Sequence, residues 1–254
     1  MTCKNIAIVL LIIGLLPCAF VQAQQGDQRY LDALRRDYTN EQDLFGKALK
    51  EGKEWYLEYT MISTILPPGS SRYQKVYTDG EMLAGKSYRR IKTNETEVLM
   101  DEKDVFTVNK PARTVLHSKG SKKALDIRKL VYLNLFSDTG KKTIKVVSCN
   151  TVKDTDGVSL IKYDVVSNPT PGLVKNITYY FDATTHALRK VHTVNNSKEP
   201  VKMKEYTFIV RSRGARDIGK NITPVKQYFL TANGQLKSPY NNYHYKDLNA
   251  THKN

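Results

Sequence analysis

From Glu54 to Ser212, apolar and polar residues alternate in short runs separated by turn sequences, and this period of two constrains the fold more than any other feature of the chain. Side chains alternate across a strand, so such runs bury one face and leave the other to water or a second layer. In the first run Trp55, Leu57, Tyr59 and Met61 share one face, while Tyr56, Glu58, Thr60 and Ile62 take the other, until Pro67-Pro68-Gly69 ends the strand. Arg72–Thr78 reads as a second strand with Asp79-Gly80 as the turn after it, and Lys86–Lys92 as a third. Glu97–Met100, Val105–Val108 and Arg113–Ser118 follow as short strands, with turns at Asp101–Asp104 and Lys110–Ala112. Thr143–Thr151, Ser159–Ser167, Lys175–Asp182, Ala187–Asn195 and Val201–Ser212 complete the set; the turns include Asp154-Thr155-Asp156-Gly157 and Ala183–His186. The expected fold is mainly β (α+β), with about 10–11 antiparallel strands in meander order.

Two segments break the period. Across Asp27–Lys53, Leu31, Leu34, Tyr38, Leu44, Phe45, Ala48 and Leu49 recur at helical spacings. Asn40 is placed to cap the second half and Gly52 to close it, which predicts one broken helix or two short ones. Ser121–Phe136 predicts a central helix, apolar nearly all round from Leu130 to Phe136. It is either a core helix or a plug seated in a concave sheet. Val225–Leu230 is compatible with one more strand, and Asn241–Asn254 is polar and expected to fray.

Residues Met1–Ala23 read as a secretory signal. Lys4 precedes the apolar run Ile6–Leu16, and Val21-Gln22-Ala23 places small residues before a cleavage at Gln24. The run is shorter than the roughly 18 residues a spanning helix needs. The alternatives are a lipoprotein signal at Cys18, preceded by an unfavourable Pro17, or a retained anchor helix. With Cys3 and Cys18 removed, Cys149 stands alone, so the exported domain has no internal disulfide. The expected organisation is a signal at 1–23, one domain over 24–230 and a polar, flexible tail at 231–254.

The 40 Lys and Arg against 25 Asp and Glu are unevenly spread. Acids outnumber bases before Tyr59, whereas Arg189, Lys190, Lys202, Lys204, Arg211 and Arg213 lie in a strongly basic stretch that adjacent strands would merge into one positive face. Such a face serves solubility, or it attracts an anionic membrane surface or envelope protein. An export signal argues against nucleic acid. No nucleophile elbow, phosphate-binding glycine loop or zinc-protease motif is present. His117, His186, His192, His244 and His252 form no metal-ligand pair with a carboxylate partner in sequence, and Asp154 and Asp156 fit a turn better than an active site. Five Asn-X-Ser/Thr sequences would matter only in a eukaryotic secretory route. The expectation is a protein with no catalytic residues, no metal and no cofactor.

The order of signal, amphipathic helix, meander, central helix and second meander resembles the LolA/LolB-like fold of periplasmic lipoprotein-localisation proteins, the outer-membrane lipoprotein carrier-like superfamily. The stretch Thr96–Val115 carries most of the resemblance: a short strand, a turn, a strand bearing Phe106, a turn and another strand. Ile177–Lys190 and Lys204–Arg211 are similar to the later strands. No position matches the family's cavity arginine, the surface is more basic, and the tail beyond Gly214 is longer. The resemblance implies a curved half-barrel with both helices on its concave face and an apolar ligand cavity. Trp55, Leu57, Tyr59, Met61, Ile177, Tyr179, Phe181, Tyr206, Phe208 and Val210 would line it, closed by Leu130, Leu133 and Phe136. It further implies an exported, periplasmic, monomeric carrier or sensor of a lipid or lipidated ligand, soluble after cleavage. The competing expectation is an envelope adaptor whose core is filled and whose basic face meets an anionic partner.

Overall fold

The computed structural model describes residues 28–125, 144–170, 173–197, 202–218 and 224–249. A helix, α1, spans 28–50. Strands β1 (Glu54–Ile65), β2 (Gln74–Ala84), β3 (Tyr88–Thr93), β4 (Thr96–Asp101), β5 (Asp104–Asn109) and β6 (Thr114–Lys119) follow. After a 3-10 turn at Lys122–Leu125 come β7 (Ile144–Lys153), β8 (Ser159–Thr170), β9 (Leu173–Asp182), β10 (Leu188–Ser197) and β11 (Met203–Arg216). The chain ends with helix α2 (Val225–Phe229) and β12 (His244–Asp247). The strands form one open, curved sheet in the order β12-β6-β5-β4-β3-β2-β1-β11-β10-β9-β8-β7. Two meanders thus join where β1 pairs with β11. The described sheet has twelve strands rather than 10–11, and it is mixed, because β12 runs parallel to β6.

Turn chemistry sets the meander locally. Asp101 Oδ1 accepts from the N–H groups of Lys103 and Asp104 at 2.8 Å each, closing the β4–β5 turn. Asp154 Oδ1 accepts from Asp156 and Val158, with Gly157 at φ +78° supplying the left-handed corner. The expected turn at Asp79-Gly80 is not one: β2 runs straight through it. Asp79 stays in the strand because Thr60 Oγ1 on β1 donates to its Oδ1 at 2.5 Å. Gly80 is there for close approach, since a Cβ would stand 2.4 Å from Cζ of Tyr59, whose ring lies over it. The chain reverses instead between Ala84 and Tyr88, where Gly85 N–H donates to the Tyr88 carbonyl at 3.1 Å.

The first helix is continuous rather than broken, and Asn40 lies exposed within it, not at a cap. A cap at Asn40 would interrupt the helix between Asp37 and Glu41, yet both acids are buried and satisfied by the sheet. Tyr163 Oη donates to Asp37 Oδ2 at 2.7 Å, and His186 Nδ1 lies 2.8 Å from Asp37 Oδ1. Leu188 N–H and Arg213 Nη1 both donate to Glu41 at 2.6 Å. Gly52, at φ +72°, does end the helix.

The two faces of the sheet are covered by different parts of the chain. On the inner face Leu34 and Tyr38 of α1 pack with Val146, Tyr163, Val165, Tyr179, Phe181, Leu188 and Val191. About two to four turns on, Phe45 and Ala48 pack with Trp55, Leu57, Met82, Ala84 and Val210. On the opposite face Leu83, Leu99, Phe106, Val108 and Val115 are covered by Val225, Phe229, Leu230 and Tyr240. Val225–Leu230, compatible in sequence with a strand, therefore begins with a short helix: Asp101 Oδ2 accepts from Val225 N–H at 2.8 Å, and the Phe229 ring stacks on Phe106 at 4.6 Å. Within Asn241–Asn254, expected to fray, His244–Asp247 form strand β12. Residues His244–Asp247 pair with Thr114–His117, and His117 lies 3.0 Å from Tyr245 Oη and 2.7 Å from Asp104 Oδ1. Of the expected central helix, Leu130, Leu133 and Phe136 lie outside the described residues.

Candidate functional site

Cross-strand register assembles the inner face row by row. Tyr59 faces Val210, Met61 faces Phe208 and Ser63 faces Tyr206 across the β1–β11 pair. Phe208 and Tyr206 then face Val191 and Thr193 on β10, which face Tyr179 and Ile177 on β9. All ten described residues expected to line a cavity are on this face, but α1 divides them. Trp55, Leu57, Tyr179, Phe181 and Val210 are buried core beneath it. Tyr59, Met61, Ile177, Tyr206 and Phe208 are only half-buried and form a strip beside the helix. Tyr59 and Phe208 stack within that strip at 4.9 Å, and burial pushes the Tyr59 hydroxyl above its ordinary pKa.

Two polar groups interrupt the strip. Ser63 is 5 % exposed and Thr193 is 1 % exposed, and neither Ser63 Oγ nor Thr193 Oγ1 has a hydrogen-bond partner. They stand in one row, on either side of Tyr206. Asn195, on the same face of β10, donates from Nδ2 to the Met203 carbonyl at 2.8 Å, while its Oδ1 is unpaired. A buried hydroxyl left unpaired costs about 1–3 kcal/mol, so two in one row call for a cause. Alternation in the sequence marked the apolar members of this face and passed over the small hydroxyls, which carry no hydrophobic signal.

Arg89 is a further inner-face residue that the sequence did not single out. It is 5 % exposed, donates to the carbonyls of Gly85, Tyr88 and Leu125, and lies 5.4 Å from the Phe45 ring centre. It ties the β2–β3 turn and the 3-10 turn to the helix layer. The only signal available was an Arg on the same alternation as Ile91.

Of the six residues expected on one basic face, Arg213 lies apart. Arg213 points inward to Glu41, whose pKa is raised because burial outweighs the nearby guanidinium. Arg189, Lys204 and Arg211 each lack a Cα partner on one neighbouring strand, and each occupies the extra position of a register shift. Such bulges re-aim a side chain, and all three are exposed. Arg189 meets Asp182 at 3.4 Å, Arg211 Nε donates to Thr60 at 2.9 Å, and Lys204 lies 5.5 Å from the Tyr73 ring. Lys190, on a paired position, lies 5.2 Å from the Tyr180 ring, and Lys202 is exposed. Where β3 ends beside β2, a cleft of about 410 Å³ is lined by Glu58, Asp79, Glu81, Lys92 and Arg211, a polar site of mixed charge.

His186 and His192 are engaged separately, with Asp37 and with Glu205 at 3.0 Å. Among the described residues no group of three or more His, Cys, Asp or Glu is placed to hold a metal. Cys149 is half-buried, and burial raises its thiol pKa above the ordinary value. No described helix is long and apolar enough to cross a membrane.

No protein-family model matches the sequence, and no curated protein matches it. Solved structures are similar to the chain. One is an uncharacterized conserved protein from Thermus thermophilus, at 8 % identity over 82 % of this chain and 99 % of that one, with a TM-score of 0.40. A second is a LolA superfamily protein from Nitrosomonas europaea, at 9 % identity over 74 % and 98 %, with a TM-score of 0.31. A third is a domain from Vibrio parahaemolyticus described as outer membrane lipoprotein-sorting, at 11 % identity over 75 % and 96 %, with a TM-score of 0.29. The last two bear the names of the group that the sequence resembles. At these TM-scores the likeness carries no weight for function.

Proposed function

We propose that the protein is an exported, periplasmic, non-catalytic carrier or sensor that holds a lipid or lipidated ligand on the inner face of its sheet. The observation that supports this is the half-buried strip of Tyr59, Met61, Ile177, Tyr206 and Phe208 beside α1. Each methylene moved from water onto such a surface is worth about 0.8 kcal/mol, so one long acyl chain supplies several kcal/mol before the costs of binding. The test is mass spectrometry of lipids that co-purify with natively expressed protein, together with Met61→Asp. Lipid recovered with the wild type and lost from a folded Met61→Asp variant supports the carrier; no lipid with either defeats it.

A second function is favoured by the exposure of Arg189, Lys204 and Arg211 at bulge positions. An envelope adaptor would use those cations against an anionic partner. Arg189→Glu with Lys204→Glu would then abolish binding to anionic vesicles and leave lipid retention unchanged.

A further inference from the structure

We propose that the inner-face strip accepts a lipid carrying at least two ester or amide carbonyls, to which the hydroxyls of Ser63 and Thr193 donate. This rests on the carrier function proposed above and deepens it. Ser63 lies on β1 and Thr193 on β10, with Tyr206 of β11 between them in the same row. At about 4.7–4.9 Å per strand, their backbones stand roughly 9–10 Å apart. One carboxylate or one carbonyl does not span that gap, whereas a lipid with two chains brings two acceptors. Neutral donors surrounded by Met61, Phe208, Tyr206 and Ile177 suit neutral carbonyl oxygens, because a charged group placed among them would lose its hydration without a counter-charge. Both hydroxyls are more than nine-tenths buried and unpaired. A ligand that supplies acceptors removes the penalty that the free protein carries.

The row also has a way out to solvent. Ser63 pairs with Val76 on β2, which is 38 % exposed. Strand β3 pairs only with Gly80–Ala84, so among the described residues no strand covers the outer edge of Gln74–Asp79. Val76 belongs to neither of the clusters that pack with α1, and a chain reaching Ser63 from that side would cross it.

The test compares the full chain with an S63A/T193V variant, using dioleoyl phosphatidylglycerol and its dialkyl ether analogue in otherwise identical vesicles. A diacylated lipopeptide and its ether analogue form the second arm. The ether removes the carbonyls and keeps the chains. The expected result is that the wild type prefers an ester probe over its ether by about 3- to 10-fold for each hydrogen bond formed. The S63A/T193V variant, which buries no unpaired hydroxyl at these positions and melts no lower than wild type, binds ester and ether alike. Thr193→Ser keeps a hydroxyl and keeps the preference. A preference confined to the lipopeptide assigns the lipid anchor of a protein as the source, and one confined to phosphatidylglycerol assigns bulk phospholipid. Equal binding of ester and ether by the wild type, or a preference that survives in S63A/T193V, overturns this proposal and leaves the carrier standing. No binding of any probe overturns both.

Discussion

Arg213 on β11 donates from Nη1 to Glu41 Oε2 at 2.6 Å, and both side chains are largely buried between α1 and the sheet. The carboxylate also accepts from Leu188 N–H on β10, so one acid ties the helix to two strands. Arg213→Ala leaves that acid buried without its counter-charge and is expected to cost about 3–5 kcal/mol in urea unfolding. Burial raises the Glu41 pKa, so the folded state holds its proton to higher pH than the unfolded chain does. Stability from this group is present below the unfolded pKa and is lost as pH rises through the folded one. Glu41→Gln should flatten that fall in a series of melts taken upward from pH 4.

Asp182 titrates the other way. The N–H of Thr185, then that of Thr184, holds its carboxylate below the usual range, with Arg189 adding to the effect against the opposing pull of burial. Its contribution is full above the unfolded pKa and disappears as pH falls through the lower folded value. Asp182→Asn should therefore lower stability at pH 7 and reduce the loss seen on acidification below pH 4. An acid-unfolding curve parallel to wild type would show that the β9–β10 turn is held by other groups.

Gly80 and Tyr59 should couple. Gly80→Ala pushes a methyl into the Tyr59 ring, which Phe208 backs from the far side, and overpacking of this kind costs about 1–3 kcal/mol. In a Tyr59→Ala background the same change should cost much less, because the ring is gone. A double-mutant cycle with no interaction energy would mean that the ring does not occupy the space over Gly80.

The C-terminal segment should unfold with the sheet. Phe229 is fully buried against Phe106 and Tyr240. Phe229→Ala is expected to lower stability by about 3–5 kcal/mol in a single cooperative transition. Two separate transitions would show the segment to be an independent appendage.

Strand β12 is short and is fastened through His117, so its protection should depend on that contact. Tyr245→Phe removes the hydroxyl 3.0 Å from His117 Nδ1, and Asp247→Asn removes the carboxylate 3.4 Å from the same nitrogen. The pair of changes should speed hydrogen exchange at Thr114–Lys119 while the amides of β8 and β9 exchange as in wild type.

The β class, the meander order and most turns were legible in the sequence because they are local. Alternation needs only the pleat, and the Asp154–Val158 turn needs only its own five residues. Three features were decided by contacts from far along the chain. Asp79-Gly80 has the composition of a turn, and only the Thr60 hydroxyl and the Tyr59 ring from the neighbouring strand make it a strand interior. Asn40 reads as a cap in the middle of α1 until Tyr163, His186, Leu188 and Arg213 supply partners for Asp37 and Glu41 on either side of it. Val225–Leu230 is compatible in sequence with a strand, but Asp101 holds its first N–H and the Phe106 ring receives Phe229. The candidate site divides in the same way. Parity along single strands named its apolar members, while the path of α1 decided which of them are core. Bulges, which insert one residue without a mark in the pattern, hold Arg189, Lys204 and Arg211, while the register turns Arg213 inward to Glu41. Side-chain direction is a property of one strand, whereas coverage, pairing and the orphaning of Ser63 and Thr193 are properties of several strands at once, which only the folded sheet brings together.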